Sequence, residues 1–187
     1  AFSSMKGFLY GEKNNYLALH CVFDNEEVGS GTKQGAASTF LRDTLQRIHE
    51  VLGYDCEDYR IHLANSLMFS ADNAVHPNHT DMADPTNRPY LNGGIVIKFN
   101  ANQKYCTDAV SAAMFRDICK QADVPVQTFT NRSDIAGGST LGNISNTQVA
   151  LNTVDIGLPQ LAMHSPYETA GVKDTEYLVR AAQEFFC

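Results

Sequence analysis

Long apolar runs are missing from these 187 residues, and without one no helix is expected to span a bilayer. The opening residues hold no basic stretch followed by an apolar one, so no signal peptide is expected. Positive charge is scarce: 14 Lys and Arg face 21 Asp and Glu, for a net charge of -7. No basic stripe offsets that balance, which argues against a nucleic-acid or anionic-membrane partner. The five cysteines, Cys21, Cys56, Cys106, Cys119 and Cys187, include no C-x-x-C pair and are odd in number. They read as free thiols of a reducing compartment, with the cytoplasm the expected location. A Walker motif, an H-E-x-x-H zinc helix, internal repeats and low-complexity tracts are absent too. The chain has no initiator Met and opens at Ala1 in what reads as a helix, as expected of a fragment or processed piece.

What is there suits one globular domain. The hydrophobic fraction is 43% and the charged fraction 19%, both ordinary for a folded protein of this size. Tyr16 to Phe23 is apolar and β-branched enough for a buried strand, and a Gly-rich turn follows at Gly29-Ser30-Gly31. Ala37, Leu41, Leu45, Ile48 and Leu52 recur at helical spacing until Gly53 stops them. Glu57 to Asn65 adds a short helix. Leu67 to Ala71, Ile95 to Phe99, Val124 to Phe129 and Thr153 to Ile156 read as further strands. Helices are expected at Val110 to Ala122, at Leu141 to Ala150 and after Asp174, which reads as an N-cap. Strands alternating with helices predict an α/β fold, a mostly parallel sheet with helices on both faces. In such sheets the loops after the strands' carboxyl ends build the site. Three of them carry acidic or His residues: Asp24 to Glu27, Asp72 to His79, and Met163 to Glu168.

The stretch Asp24-Asn25-Glu26-Glu27-Val28-Gly29-Ser30 is the most informative. Two carboxylates directly after a buried strand are costly unless something positive sits beside them. In extended backbone their side chains would point opposite ways, one to a metal and the other to a water bound on it. A solvated acidic turn is the plainer reading. A dinucleotide-binding turn is a third, and it fails because Gly35 lies one position beyond where G-x-G-x-x-G places its last glycine. Asp72 ends an apolar strand and precedes His76 and His79, while His164 follows the run ending Leu161-Ala162. Alone, each is as well explained as a turn residue or a structural histidine. His79-x-Asp81, deep in a loop with no strand before it, reads as a surface coincidence. Together, the carboxylates and the imidazole are donors that zinc takes without thiolates.

Beyond this stretch, ordered blocks recur nearly to the C-terminus. They are Ser70-Ala71-Asp72, His76-Pro77-Asn78, Gly94 to Asn102 with Ile97-Lys98, Asn131-Arg132-Ser133-Asp134 with Gly137-Gly138-Ser139-Thr140-Leu141-Gly142, and Pro159 to Ser165. With these blocks the chain resembles the aspartyl aminopeptidases, a family of dinuclear zinc exopeptidases. The resemblance implies a metal-dependent aminopeptidase that removes N-terminal Asp or Glu from peptides. It implies a zinc-exopeptidase-like catalytic domain over residues 1–187, incomplete at its N-terminus and without the family's inserted dimerisation domain. Residue by residue, it makes Glu26 the general base and Glu27 a metal ligand beside His164. Asp72 becomes a ligand of the second of two zinc ions, and His76 and Lys98 become substrate-binding. It further implies a homo-oligomer, a dodecamer in the family. Two departures stand out. The family's first His ligand and bridging Asp would precede Ala1, and the loop from Asp72 to His76 is two residues shorter than the family's. The alternative is that this chain by itself is a non-catalytic fragment or an assembly scaffold.

Overall fold

The computed structural model describes residues 1–12, 16–75, 84 and 86–187. His76, His79 and Asp81 lie outside the described residues. The chain opens with α1 (Phe2–Tyr10), and α2 (Phe40–Val51) and α3 (Cys56–Ala64) precede the first strand. Asp55 starts α3 through a capping box with Asp58, satisfying amide donors that the helix itself leaves open.

Four strands form the main sheet: β1 (Leu67–Ala71), β3 (Ile95–Phe99), β4 (Val126–Thr130) and β5 (Asn152–Gly157), in the order β1-β5-β3-β4. The β1/β5 and β3/β4 pairings are parallel, each over five residues. They are joined by a short antiparallel seam, Val96↔Gly157 and Ile97↔Ile156. Three very short strands, β2 (Ala74–Val75), β6 (Pro159–Leu161) and β7 (Thr169–Ala170), make a second sheet. The remaining helices are α4 (Ala109–Gln121), α5 (Leu141–Ser145) and α6 (Val172–Phe185). The expected α/β class holds, with a sheet parallel at two of its three main junctions.

Alternation along each strand divides the residues between two faces. Ile95, Ile97, Val154 and Ile156 face the main core, where Phe115 of α4 and Leu178 and Ala181 of α6 meet them. Phe69 sits edge-on to Phe115 at 4.9 Å and stacks on Phe185 at 3.9 Å. The opposite face carries Val96 and Phe129, packed with Ala74 and Tyr105, and α5, whose Gly142 rests on Ser70 and Asp155. Helices therefore cover both faces. The crossing of α1 over α6 is close because position 7 is a glycine: a Cβ there would come within 2.2 Å of the Ala182 side chain.

Three expectations change. Tyr16 to Phe23 forms no strand. Tyr16, Leu17, Leu19 and Val22 are exposed, and among the described residues no strand lies beside this stretch to take its backbone bonds. Apolar content makes a strand only where a neighbour completes the ladder. The helix expected from Leu141 to Ala150 ends at Ser145. Asp174 is not an N-cap: α6 begins at Val172 after Gly171. Its fully buried carboxyl group accepts instead from the amides of Asn92 at 2.6 Å and Gly94 at 2.9 Å, fastening the turn that leads into β3.

Candidate functional site

The acidic turn is built by left-handed residues. Asn25 (φ 61°) and Gly29 (φ 97°) bracket a single 3₁₀ turn, Glu26–Val28. Gly29 N–H closes on Glu26 O at 3.0 Å and Ser30 N–H on Asn25 O at 2.9 Å. Glu26 and Glu27 therefore diverge by roughly 120°, the step of a 3₁₀ helix, and not by the half-turn of an extended strand. The expectation of extended backbone is corrected, and its consequence survives: the two side chains have different neighbours.

Glu27 Oε2 lies 3.1 Å from His164 Nε2, with both side chains exposed (71% and 67%). His164 is held in the left-handed region (φ 66°), as is Ala162 (φ 53°). Such backbone costs a non-glycine residue about 1–2 kcal/mol. The turn is tied by Ser165 N–H to Ala162 O at 2.9 Å and by His164 N–H to Glu168 Oε1 at 2.7 Å. The imidazole is thus presented outward from strained backbone, a combination that gathers at functional sites.

Asp72 follows β1 directly, its amide bonded to Ile156 O at 3.0 Å. Gly157 makes room for it, since a Cβ there would stand 1.9 Å from Asp72 O. Across the seam, Lys98 of β3 shares the second face with Val96 and is only 2% exposed. Its Nζ donates to Asp72 Oδ2 at 3.3 Å and lies 5.5 Å from the centre of the Tyr105 ring. Glu26 belongs to the same neighbourhood. Burial first, then the charges of Asp72 and Glu27, push its carboxyl group up, while Lys98 and His164 pull it down. Burial, with Asp72 and Asp155, pushes the Tyr105 hydroxyl up to about 12, so it remains a donor at neutral pH.

The structure thus brings Glu26, Glu27, Asp72, Lys98 and His164 together, whereas His76 lies outside the described residues. Tyr105 and Asp155 are neighbours that sequence reasoning missed. Tyr105 stands in no motif, although its place in the loop after β3 was the available sign. Among the described residues no three His, Cys, Asp or Glu side chains gather closely enough to hold an ion. Pairwise fit is better. Two ligands at about 2.0–2.1 Å from a tetrahedral zinc are roughly 3.3 Å apart, and the Glu27–His164 separation of 3.1 Å is close to that. Asp72 turns instead to the ammonium of Lys98. The donor set fits zinc at one edge.

An open α/β sheet that gathers carboxylates, an imidazole and a buried lysine beside its strand ends is of the class that metal-dependent hydrolases use. Residues 1–186 match the model of the family described as "Aminopeptidase I zinc metalloprotease (M18)", and the chain belongs to that family. It is 51% identical over 186 residues to a protein of Clostridium novyi (strain NT) named "Probable M18 family aminopeptidase 2", covering 98% of this chain and 43% of the relative. The crystal structure of aminopeptidase I from Clostridium acetobutylicum superposes with a TM-score of 0.84 at 25% identity, over 100% of this chain and 41% of that one. A dodecamer structure from S. cerevesiae gives a TM-score of 0.72 at 30% identity, over 88% and 36%. The chain therefore spans about two fifths of the length of such relatives.

Proposed function

We propose that this chain is the C-terminal, metal-binding portion of the catalytic domain of a zinc aminopeptidase that removes acidic N-terminal residues from peptides. The observation that carries the reading is the buried Lys98, an ammonium group 2% exposed beside Asp72 and Glu26 in a chain matched throughout by an aminopeptidase family. Asp72 offsets the cost of that buried cation here, and with Asp72 engaged by zinc a substrate carboxylate would take its place. Lys98 thus suits the acidic side chain of a substrate. Glu27 and His164 would hold one zinc ion, and Asp72 would serve the second position. Bound zinc supplies Lewis acidity and an acidified water. Glu26 takes a proton from the attacking water and returns it to the leaving amine. Its carboxyl group, raised by burial and by its acidic neighbours, suits that exchange. His76 is assigned to substrate binding by sequence alone. The working form is a homo-oligomer, in keeping with the dodecameric relative.

The test uses the zinc-loaded enzyme. Glu26→Gln should lower turnover by about 10²–10⁴-fold with bound zinc unchanged. Zinc lost together with activity would make Glu26 a ligand and overturn its assignment as base. Lys98→Met should reduce kcat/KM for acidic N-terminal residues far more than for leucine. Equal losses would remove the specificity role.

A further inference from the structure

Asp155 stands in the middle of β5 with no exposed surface. It lies one register step beyond the Ile97↔Ile156 pair, and so beside Lys98 on the second face of the sheet. Its carboxyl group serves three donors from two separate segments. Oδ1 accepts from the Thr140 hydroxyl at 2.8 Å. Oδ2 accepts from the Cys106 amide at 2.6 Å and the Cys106 thiol at 2.9 Å. The Asp155 amide in turn donates to Thr107 Oγ1 at 2.9 Å. Packing is as close as the bonding: a Cβ on Gly142 would stand 2.4 Å from Asp155 Oδ1 and 2.6 Å from Ser70 Oγ. Burial and the adjacent carboxyl group push the Cys106 thiol up, which keeps it a donor.

Fold stability alone is a poor account of this residue. Its neighbours on β5, Val154 and Ile156, point to the main core on the other face, and Asp155 is as fully buried on its own. A carboxyl group in such a place must be desolvated, and hydrogen bonds only offset that cost. What those bonds join is informative. One segment runs from Gly137 and Gly138 to Thr140 at the start of α5. The other carries Tyr105, whose ring faces the Lys98 ammonium.

We propose that Asp155 is a positioning residue for substrate: it ties the Gly137–Thr140 segment and the Tyr105–Thr107 segment to one point on β5, fixing their spacing beside Lys98. Its consequence for substrate rests on the aminopeptidase reading above; the tie itself does not. Thr140→Val deletes one donor at nearly constant volume, and Thr140→Ser restores it. In the full chain, Thr140→Val should speed amide hydrogen exchange about fivefold to tenfold in both segments, the effect of losing one hydrogen bond. Thr140→Ser should return both to the parent rate. Faster exchange confined to residues 137–141, or no restoration by serine, would overturn the proposal. Should the valine variant not fold, Cys106→Ala removes the thiol donor on the other side while the amide bond stays, and unchanged exchange in both segments would overturn it equally. In the zinc-loaded enzyme, Thr140→Val should raise KM for an acidic dipeptide several-fold more than it lowers kcat, again with rescue by serine. A loss in kcat alone would overturn the proposal. No turnover by the parent enzyme would count against the aminopeptidase reading, and the exchange rates would then decide the tie by themselves.

Discussion

Replacing Asp72 with asparagine should cost the fold more than replacing Lys98 with methionine, although both break the same ion pair. The two partners lie 3.3 Å apart, and their side chains are 38% and 3% exposed respectively. At an effective dielectric of about 20, such a pair attracts by about 5 kcal/mol. The net consequence of breaking it depends on which charge survives. In Asp72→Asn the ammonium of Lys98 stays where water hardly reaches it. Removing one partner of a buried pair typically costs about 3–5 kcal/mol. Here the Tyr105 ring still faces the cation, and the asparagine oxygen can accept from it, so a cost of about 2–3 kcal/mol is expected. In Lys98→Met the surviving carboxylate hydrates through its exposed side, and methionine fills the space of the lysine stem. The cost should be below about 1 kcal/mol, in the range of screened pairs. The double variant should resemble Lys98→Met, because no buried charge remains. Urea unfolding followed by circular dichroism, with chelator present so that no metal engages Asp72, measures all three. A Lys98→Met variant as unstable as Asp72→Asn, or a double variant showing the sum of the two, would refute the argument from burial.

Asp108→Ala should cost about 1 kcal/mol, because it removes the side chain that caps α4. The Ser111 amide holds the Asp108 carboxyl group below its ordinary 3.8, so its contribution is full above that pH and is lost as pH falls through the lower folded value. Acid unfolding of the variant, followed by circular dichroism, should therefore show no such loss. Gly94→Ala should destabilise by well over 1 kcal/mol, since its φ is +109° and a Cβ would meet Pro125 O at 2.1 Å; Gly53→Ala, left-handed but in open space, should cost only about 1 kcal/mol in the same urea titration. With excess zinc, the 187-residue chain should hold one ion tightly, and Glu27→Ala or His164→Ala should each abolish it in equilibrium dialysis. Two tightly held ions would refute that reading of the site.

The elements legible in the sequence were those whose partners are local or whose pattern is strong. Ile95 to Phe99 is apolar at every position but Lys98 because both faces of β3 are covered, and that run appears unchanged in the structure. The helix expected at Val110 to Ala122 is α4 within one residue, but the stripe of Val110 and Met114 that marks it in the sequence is exposed, and Ala112, Phe115 and Cys119 face the core instead. Tyr16 to Phe23 misled because a strand is a relation between segments, and composition reports only one of them. Asp174 misled for the opposite reason. Its cap-like setting beside a helix start is local, whereas its bonds reach back about 80 residues to Asn92 and Gly94. The same limit hid Asp155 and Tyr105, whose importance lies in what the sheet puts next to Lys98. Glu26, Glu27, Asp72, Lys98 and His164 were visible as residues, but the turn that separates the two glutamates was not.

The pairing of β1 with β5 has a consequence for how the chain comes off the ribosome. Leu67 must find Asn152, and Ala74 must find Pro159, each about 85 residues later. At about 5–20 residues per second, β1 waits roughly 4–17 s for its neighbour. The β3–α4–β4 unit needs only some 30 residues to close and can form in that interval. Asp72 therefore waits at an unpaired strand end for that interval, before His164 is made. An ion that reaches Glu27 in that interval has no His164 beside it. Of the groups gathered beside the sheet, His164 joins last, after the β3–α4–β4 half has closed.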